Sequence, residues 1–192
     1  MNRFEQTAFF RDGILQAVHG GVVNKLETKK SEMTRSASEH NPASSVESVA
    51  NILEREQDAL IHEWLALVEK QEDLMSIPLS YDARTGHLPM LLRDVIARLQ
   101  LKEGTVAPLS IAASHHGDLR REQGYTVAMV VEESRLLQVS LFTTLHKNTH
   151  SIEYSKLLPD VVTIADEVDA QLKQQMLRYM AAGDFSDKIC VN

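Results

Sequence analysis

The stretch from Ala112 to Leu145 limits what this chain can fold into more than any other. Between Val127 and Leu145 eleven of nineteen residues are apolar, and they fall on more than one side of a 3.6-residue wheel. That is the pattern of a helix covered by neighbours over most of its circumference. Such a rod needs partner helices, and nowhere does a period-two alternation stand between turn residues, so no strand is expected. Just before it lies the densest polar cluster of the chain: His115, His116, Asp118, Arg120, Arg121, Glu122 and Gln123. Gly124 can take the left-handed conformation that closes a helix C-terminus. Thr126 can then cap the next helix, so two helices meet at a Gly-Tyr-Thr corner with polar chemistry at one end of a greasy rod.

The rest of the sequence supplies the partners. Residues 2–18 hold a weak helical pattern around Phe4, Ala8, Ile14, Leu15 and Val18, and residues 24–45 thin in apolar content until Pro42, as a flexible linker does. Ser44 and Glu47 have the spacing of a capping box before a long helix expected to end near Asp73, with Val46, Val49, Ile52, Leu53, Leu60, Ile61, Trp64, Leu65 and Val68 on its apolar face. A loop at 77–81 precedes a helix within 85–101 that tolerates Pro89 in its first turn. The last helix, from about 157 to 181, carries the stripe Val161, Ile164, Val168, Leu172 and Met176, suited to its own domain or to a second copy. The expected organisation is residues 1–44 as an N-terminal helix and flexible tail, 45–182 as an all-α domain of about five to six helices, and 183–192 as a C-terminal tail.

Composition removes several classes of function. With 20 Lys and Arg against 27 Asp and Glu the net charge is −7, which repels phosphate backbones and argues against nucleic-acid binding. Cys190 is the single cysteine, so no disulfide framework or cysteine zinc site forms within one copy. No apolar run approaches the roughly 20 residues a membrane span requires. Neither a signal peptide nor membrane insertion is expected, and the location expected is cytoplasmic.

The residues His116-Gly117-Asp118-Leu119-Arg120-Arg121-Glu122-Gln123-Gly124-Tyr125, followed by Val130-Val131-Glu132-Glu133-Ser134-Arg135-Leu136-Leu137, resemble the RsbRD-type N-terminal sensory domain. Members of that family precede histidine-kinase or STAS output modules in bacterial signalling proteins. The matching positions are His116, Arg120, Gln123, Gly124, Tyr125, Thr126, Glu133, Leu136 and Leu137, while Ser134 and Gln138 stand where an aromatic and an arginine are usual. Only Gly183 to Asn192 follow the last helix, where such proteins carry an output domain. The resemblance implies a globin-like, haem-free helical module without catalytic activity or cofactor. It would work as a homodimer through its last helix and signal to a kinase or STAS-type partner.

Read for chemistry alone, His115 and His116 project about 100° apart on a helix, so at most one points inward. Arg120 or Arg121 can reach Glu132 or Glu133 across the corner and lock it. Gly117 suits a close helix crossing. His146 and His150 have the spacing of a helical metal pair but no evident third ligand, so no metal site is expected. Two alternatives stay open: a haem-binding globin using His87, His115 or His116, and a phosphotransfer domain with His116 as phosphoacceptor on an exposed face.

Overall fold

The computed structural model describes residues 46–102 and 104–189, the last eight in backbone only. The helix and linker expected before residue 45, and Cys190, lie outside the described residues. The domain is all-α. Its helices are α1 (Val49–Arg55), α2 (Gln57–Val68), α3 (Glu72–Met75), α4 (Tyr81–Thr85), α5 (Leu88–Gln100), α6 (Ile111–Glu122), α7 (Val127–Lys147) and α8 (Tyr154–Ile189), with a 3-10 turn at Thr149–Ser151. Among the described residues the extended pairing is one isolated parallel bridge between Glu47 and Ile152.

The helix expected from 46 to 73 is broken. Ser48 caps α1 by accepting from Asn51 N–H at 3.2 Å, in place of the expected Ser44, and Glu47 instead pairs with Arg55. The break falls at Glu56, whose backbone (φ −93°, ψ 8°) leaves the helical basin. Glu56 and Gln57 occupy the step where a continuous stripe would need apolar side chains. A second departure is α4, which fills the gap between the loop expected at 77–81 and the helix expected from 85. Ser80 caps it, and its buried Arg84 and Thr85 face the core.

The central rod is α7. Val130, Glu133, Ser134, Leu136, Leu137, Ser140, Leu141, Thr144 and Leu145 are buried, a broad face rather than the whole circumference, because Val127 and Val131 remain exposed. Its hydroxyls tolerate burial by bonding back one turn, Ser140 to Leu136 O at 3.0 Å and Thr144 to Ser140 O at 3.0 Å. Helices α1, α2 and α8 pack around it, with Trp64 of α2 fully buried against it.

The apolar stripe of α8 faces its own domain, which corrects the expected interface. Ile164 and Val168 are core residues, and Val161, Leu172 and Met176 pack against them. Among the described residues of this helix the exposed large apolar side chains are others: Tyr154, Leu158, Val162, Leu177 and Met180. An amphipathic stripe has one use, and in α8 the core takes it.

Helix α8 packs most extensively on α6. The approach is closest at Gly117, where a Cβ would lie 2.2 Å from the backbone oxygen of Gln175. Glycine is there because the partner helix occupies the space of a side chain.

Candidate functional site

The corner between α6 and α7 forms as the sequence requires. Gly124 has φ +83°. Its N–H donates to Arg121 O at 3.0 Å, and Tyr125 N–H donates to Arg120 O at 2.9 Å. These are the paired bonds of a Schellman motif. Thr126 caps α7, its hydroxyl oxygen accepting from Met129 N–H at 3.3 Å while the Met129 sulfur accepts from Thr126 N–H. Tyr125, pinned between the caps, is buried. Its hydroxyl accepts from Arg84 at 3.1 Å and its carbonyl accepts from Tyr179 of α8 at 2.6 Å. Burial pushes its phenol up to about 12.

This bend delivers Arg120 to the inside of the domain, where its guanidinium is wholly buried. Nε donates to Glu133 Oε2 at 2.8 Å. One terminal nitrogen donates to Ala83 O at 3.0 Å and Gln123 Oε1 at 2.6 Å. The other donates to Arg84 O at 2.9 Å and approaches His87 Nδ1 at 3.5 Å. All five N–H donors therefore have acceptors, the condition under which a buried guanidinium is tolerated. The carbonyls of Ala83 and Arg84 lie in the last turn of α4, where helix carbonyls lack intrahelical partners. The short helix thus exists where Arg120 needs it.

His116 is 2% exposed and Glu133 3% exposed, and His116 Nε2 lies 3.4 Å from Glu133 Oε2. Burial alone would raise Glu133, but the hydrogen bond from His116 and the charge of Arg120 outweigh it and hold the carboxyl below its ordinary range. For His116 desolvation prevails over the attraction of Glu133, and the imidazole is lowered from 6.5. His87, stacked on His116 at 3.9 Å between ring centroids and edge-on to Trp64 at 6.0 Å, is lowered further, by burial first and then by His116 and Arg120. The corner is an ion pair beside two neutral imidazoles.

The expected cluster of His116, Arg120, Gln123, Gly124, Tyr125, Thr126 and Glu133 thus comes together, and Arg120 rather than Arg121 takes Glu133. Arg121 instead donates to Tyr179 O at 2.7 Å, and Glu132 pairs with Arg135 on the surface. His115 is exposed. His146 and His150 fall on opposite sides of the end of α7 and join no metal-capable group among the described residues. Sequence reasoning left three members unassigned to the corner. They are Arg84, His87 of the α5 N-cap, and Gln171 of α8, whose signal was a glutamine at a core-facing position between Val168 and Leu172.

A small cavity of about 10 Å³ adjoins the cluster, lined in part by Trp64, His87, His116, Glu133, Gln171 and Gln175. That is room for one water-sized occupant, far less than a porphyrin needs. His87, His116 and Glu133 each bring a ligand atom within 4.8 Å of the others. Their arrangement does not suit a metal. The stacked rings, 18° from parallel, run their in-plane lone pairs side by side rather than to one point, and Arg120 already holds the carboxylate. Nor does buried His116 present a nucleophile to a kinase, which speaks against the alternative of an exposed phosphoacceptor.

No family model matches the chain, and neither a curated protein nor a solved structure matches it significantly.

Proposed function

We propose that this chain is a non-catalytic bacterial sensory domain that relays a stimulus from the buried corner through α8 to a partner or output module of histidine-kinase or stressosome type. One observation carries the reading. Gln171 and Gln175 of α8 wall the same cavity as His116 and Glu133, while α8 rests on α6 with no clearance at Gly117. Close-packed interfaces of this kind shift between discrete arrangements rather than deforming gradually, so a change at the corner is borne by α8. The globin-like, haem-free character implied by the RsbRD-type resemblance belongs to the same proposal. So does a homodimer, whose contact on α8 falls to the exposed Tyr154, Leu158 and Val162 rather than to the buried stripe.

Hydrogen exchange read peptide by peptide tests the relay. In a His116→Asn variant the amides of residues 163–180 should exchange measurably faster, with those of α1 unchanged. If α8 keeps its wild-type protection, the corner is a structural lock and no relay. Absorbance of the purified protein in the Soret region would favour the haem alternative instead.

A further inference from the structure

We propose that the cavity between α5, α8 and the loop before α6 binds a small primary amine, its ammonium on Glu167 and its hydrocarbon tail against Leu101, Pro108 and Leu109. The cavity holds about 110 Å³, and Asp94, Ala97 and Arg98 of α5 also line it. Glu167 decides the chemistry. It is 6% exposed, yet among the described residues no cation lies within ion-pair distance of it. Its Oε1 accepts from Gln171 at 3.0 Å, and its Oε2 has no hydrogen-bond partner among those residues. A carboxylate taken out of water without a counter-charge is costly, so this wall lacks an occupant with positive charge and N–H donors.

The surrounding groups favour a cation. Burial raises the Glu167 carboxyl above its ordinary range, and the charges of Asp94 and Asp166 add to this, against the hydrogen bond of Gln171 and the charge of Arg98. Arg98 does not neutralise it, since one terminal nitrogen donates to Thr105 O at 3.4 Å and the other lies 3.7 Å from Asp166. The walls are braced before anything binds. The Ser110 hydroxyl donates to Asp94 at 2.5 Å, and Ser110 N–H donates to Gln174 of α8 at 2.9 Å. A cavity of roughly 150 Å³ holds benzene, so this one takes about four or five heavy atoms, the size of a short alkylammonium. Leu109 lines it while 82% exposed, and a hydrocarbon tail laid on that side chain removes apolar surface from water. The Gln171 nitrogen that serves Glu167 also donates to Leu91 O at 3.2 Å, and Gln171 walls the corner cavity with His116 and Glu133. An ammonium on Glu167 therefore acts on a side chain that the corner shares. That makes the amine the stimulus, a role that rests on the relay through α8, whereas the site itself does not.

Titration of the full chain followed by amide NMR at constant ionic strength reads the site directly. n-Butylammonium chloride should shift the amides of residues 94–102 and 163–171 and bind about tenfold or more tighter than n-butanol, the margin of a charge-assisted hydrogen bond. Butyrate should not bind. Glu167→Gln keeps an acceptor for Gln171 and should reduce butylammonium to the affinity of butanol. Ala97→Leu, at an exposed position of the wall, should block both ligands, and it tests the site even if the first variant fails to fold. Equal binding of butanol and butylammonium, binding of butyrate, no saturable shift, or an affinity untouched by Ala97→Leu overturns the proposal. Hydrogen exchange of α8 with and without butylammonium separates site from relay. If butylammonium binds as expected but leaves α8 protection unaltered, the site stands and the amine is no stimulus. If it does not bind while His116→Asn still loosens α8, the site falls and the relay stands.

Discussion

Replacing Gly117 with alanine tests whether the contact between α6 and α8 is as tight as the fold implies. The new Cβ would sit 2.2 Å from Gln175 O, whereas ordinary contact begins near 3.4 Å, so the helices must part by about 1.2 Å along that line. Alanine improves the helix by about 1 kcal/mol. Against this, overpacking a close contact costs about 1–3 kcal/mol. Separation also strains two bonds that hold α8 in place, Arg121 to Tyr179 O and Tyr179 hydroxyl to Tyr125 O, each contributing about 0.5–1.5 kcal/mol. The sum is a net loss of about 1–5 kcal/mol, read as a lower urea midpoint at unchanged slope. Because the obstacle is a backbone oxygen, adding Gln175→Ala should give no rescue. A Gly117→Ala protein as stable as wild type, or a rescue by the second substitution, would show that the helices are not in contact as described.

Four further outcomes follow from the corner and the surface. Glu133→Gln leaves the Arg120 charge buried without its carboxylate and should cost about 3–5 kcal/mol in urea unfolding; Arg120→Met with Glu133→Leu should recover only part, because the carbonyls of Ala83 and Arg84 lose their donor. His87 and His116 are lowered from 6.5 in the fold, so below about pH 6.5 the unfolded chain takes up protons first, and stability, full above that value, should fall as pH drops. Thermal melts in which His116→Gln leaves that slope unchanged would contradict the assignment. Leu172→Glu with Met176→Glu should disrupt the fold by circular dichroism, since both pack on the core. Leu158→Glu with Val162→Glu, at 71% and 61% exposed positions, should keep the fold and lower the sedimentation coefficient of any dimer.

Much of this protein is local in origin and so can be read from the chain. Period-3.6 patterning placed α5, α6, α7 and α8, and Gly124 and Thr126 announced the corner, because propensity, caps and turns depend on residues within a few positions of one another. The meeting of Arg120 with Glu133 was legible too, since one bend joins them. The rest depends on distant neighbours. Which face of α8 is covered, why α4 forms beneath Arg120, and how His87 and Gln171 come to share a cavity with His116 involve residues dozens of positions apart. Packing also decided which of the two neighbouring histidines points inward, making His116 the core group. Local sequence set the helices and their ends, whereas the packing of α8 against α6 decided which polar groups lost their water, and with it their protonation and their partners.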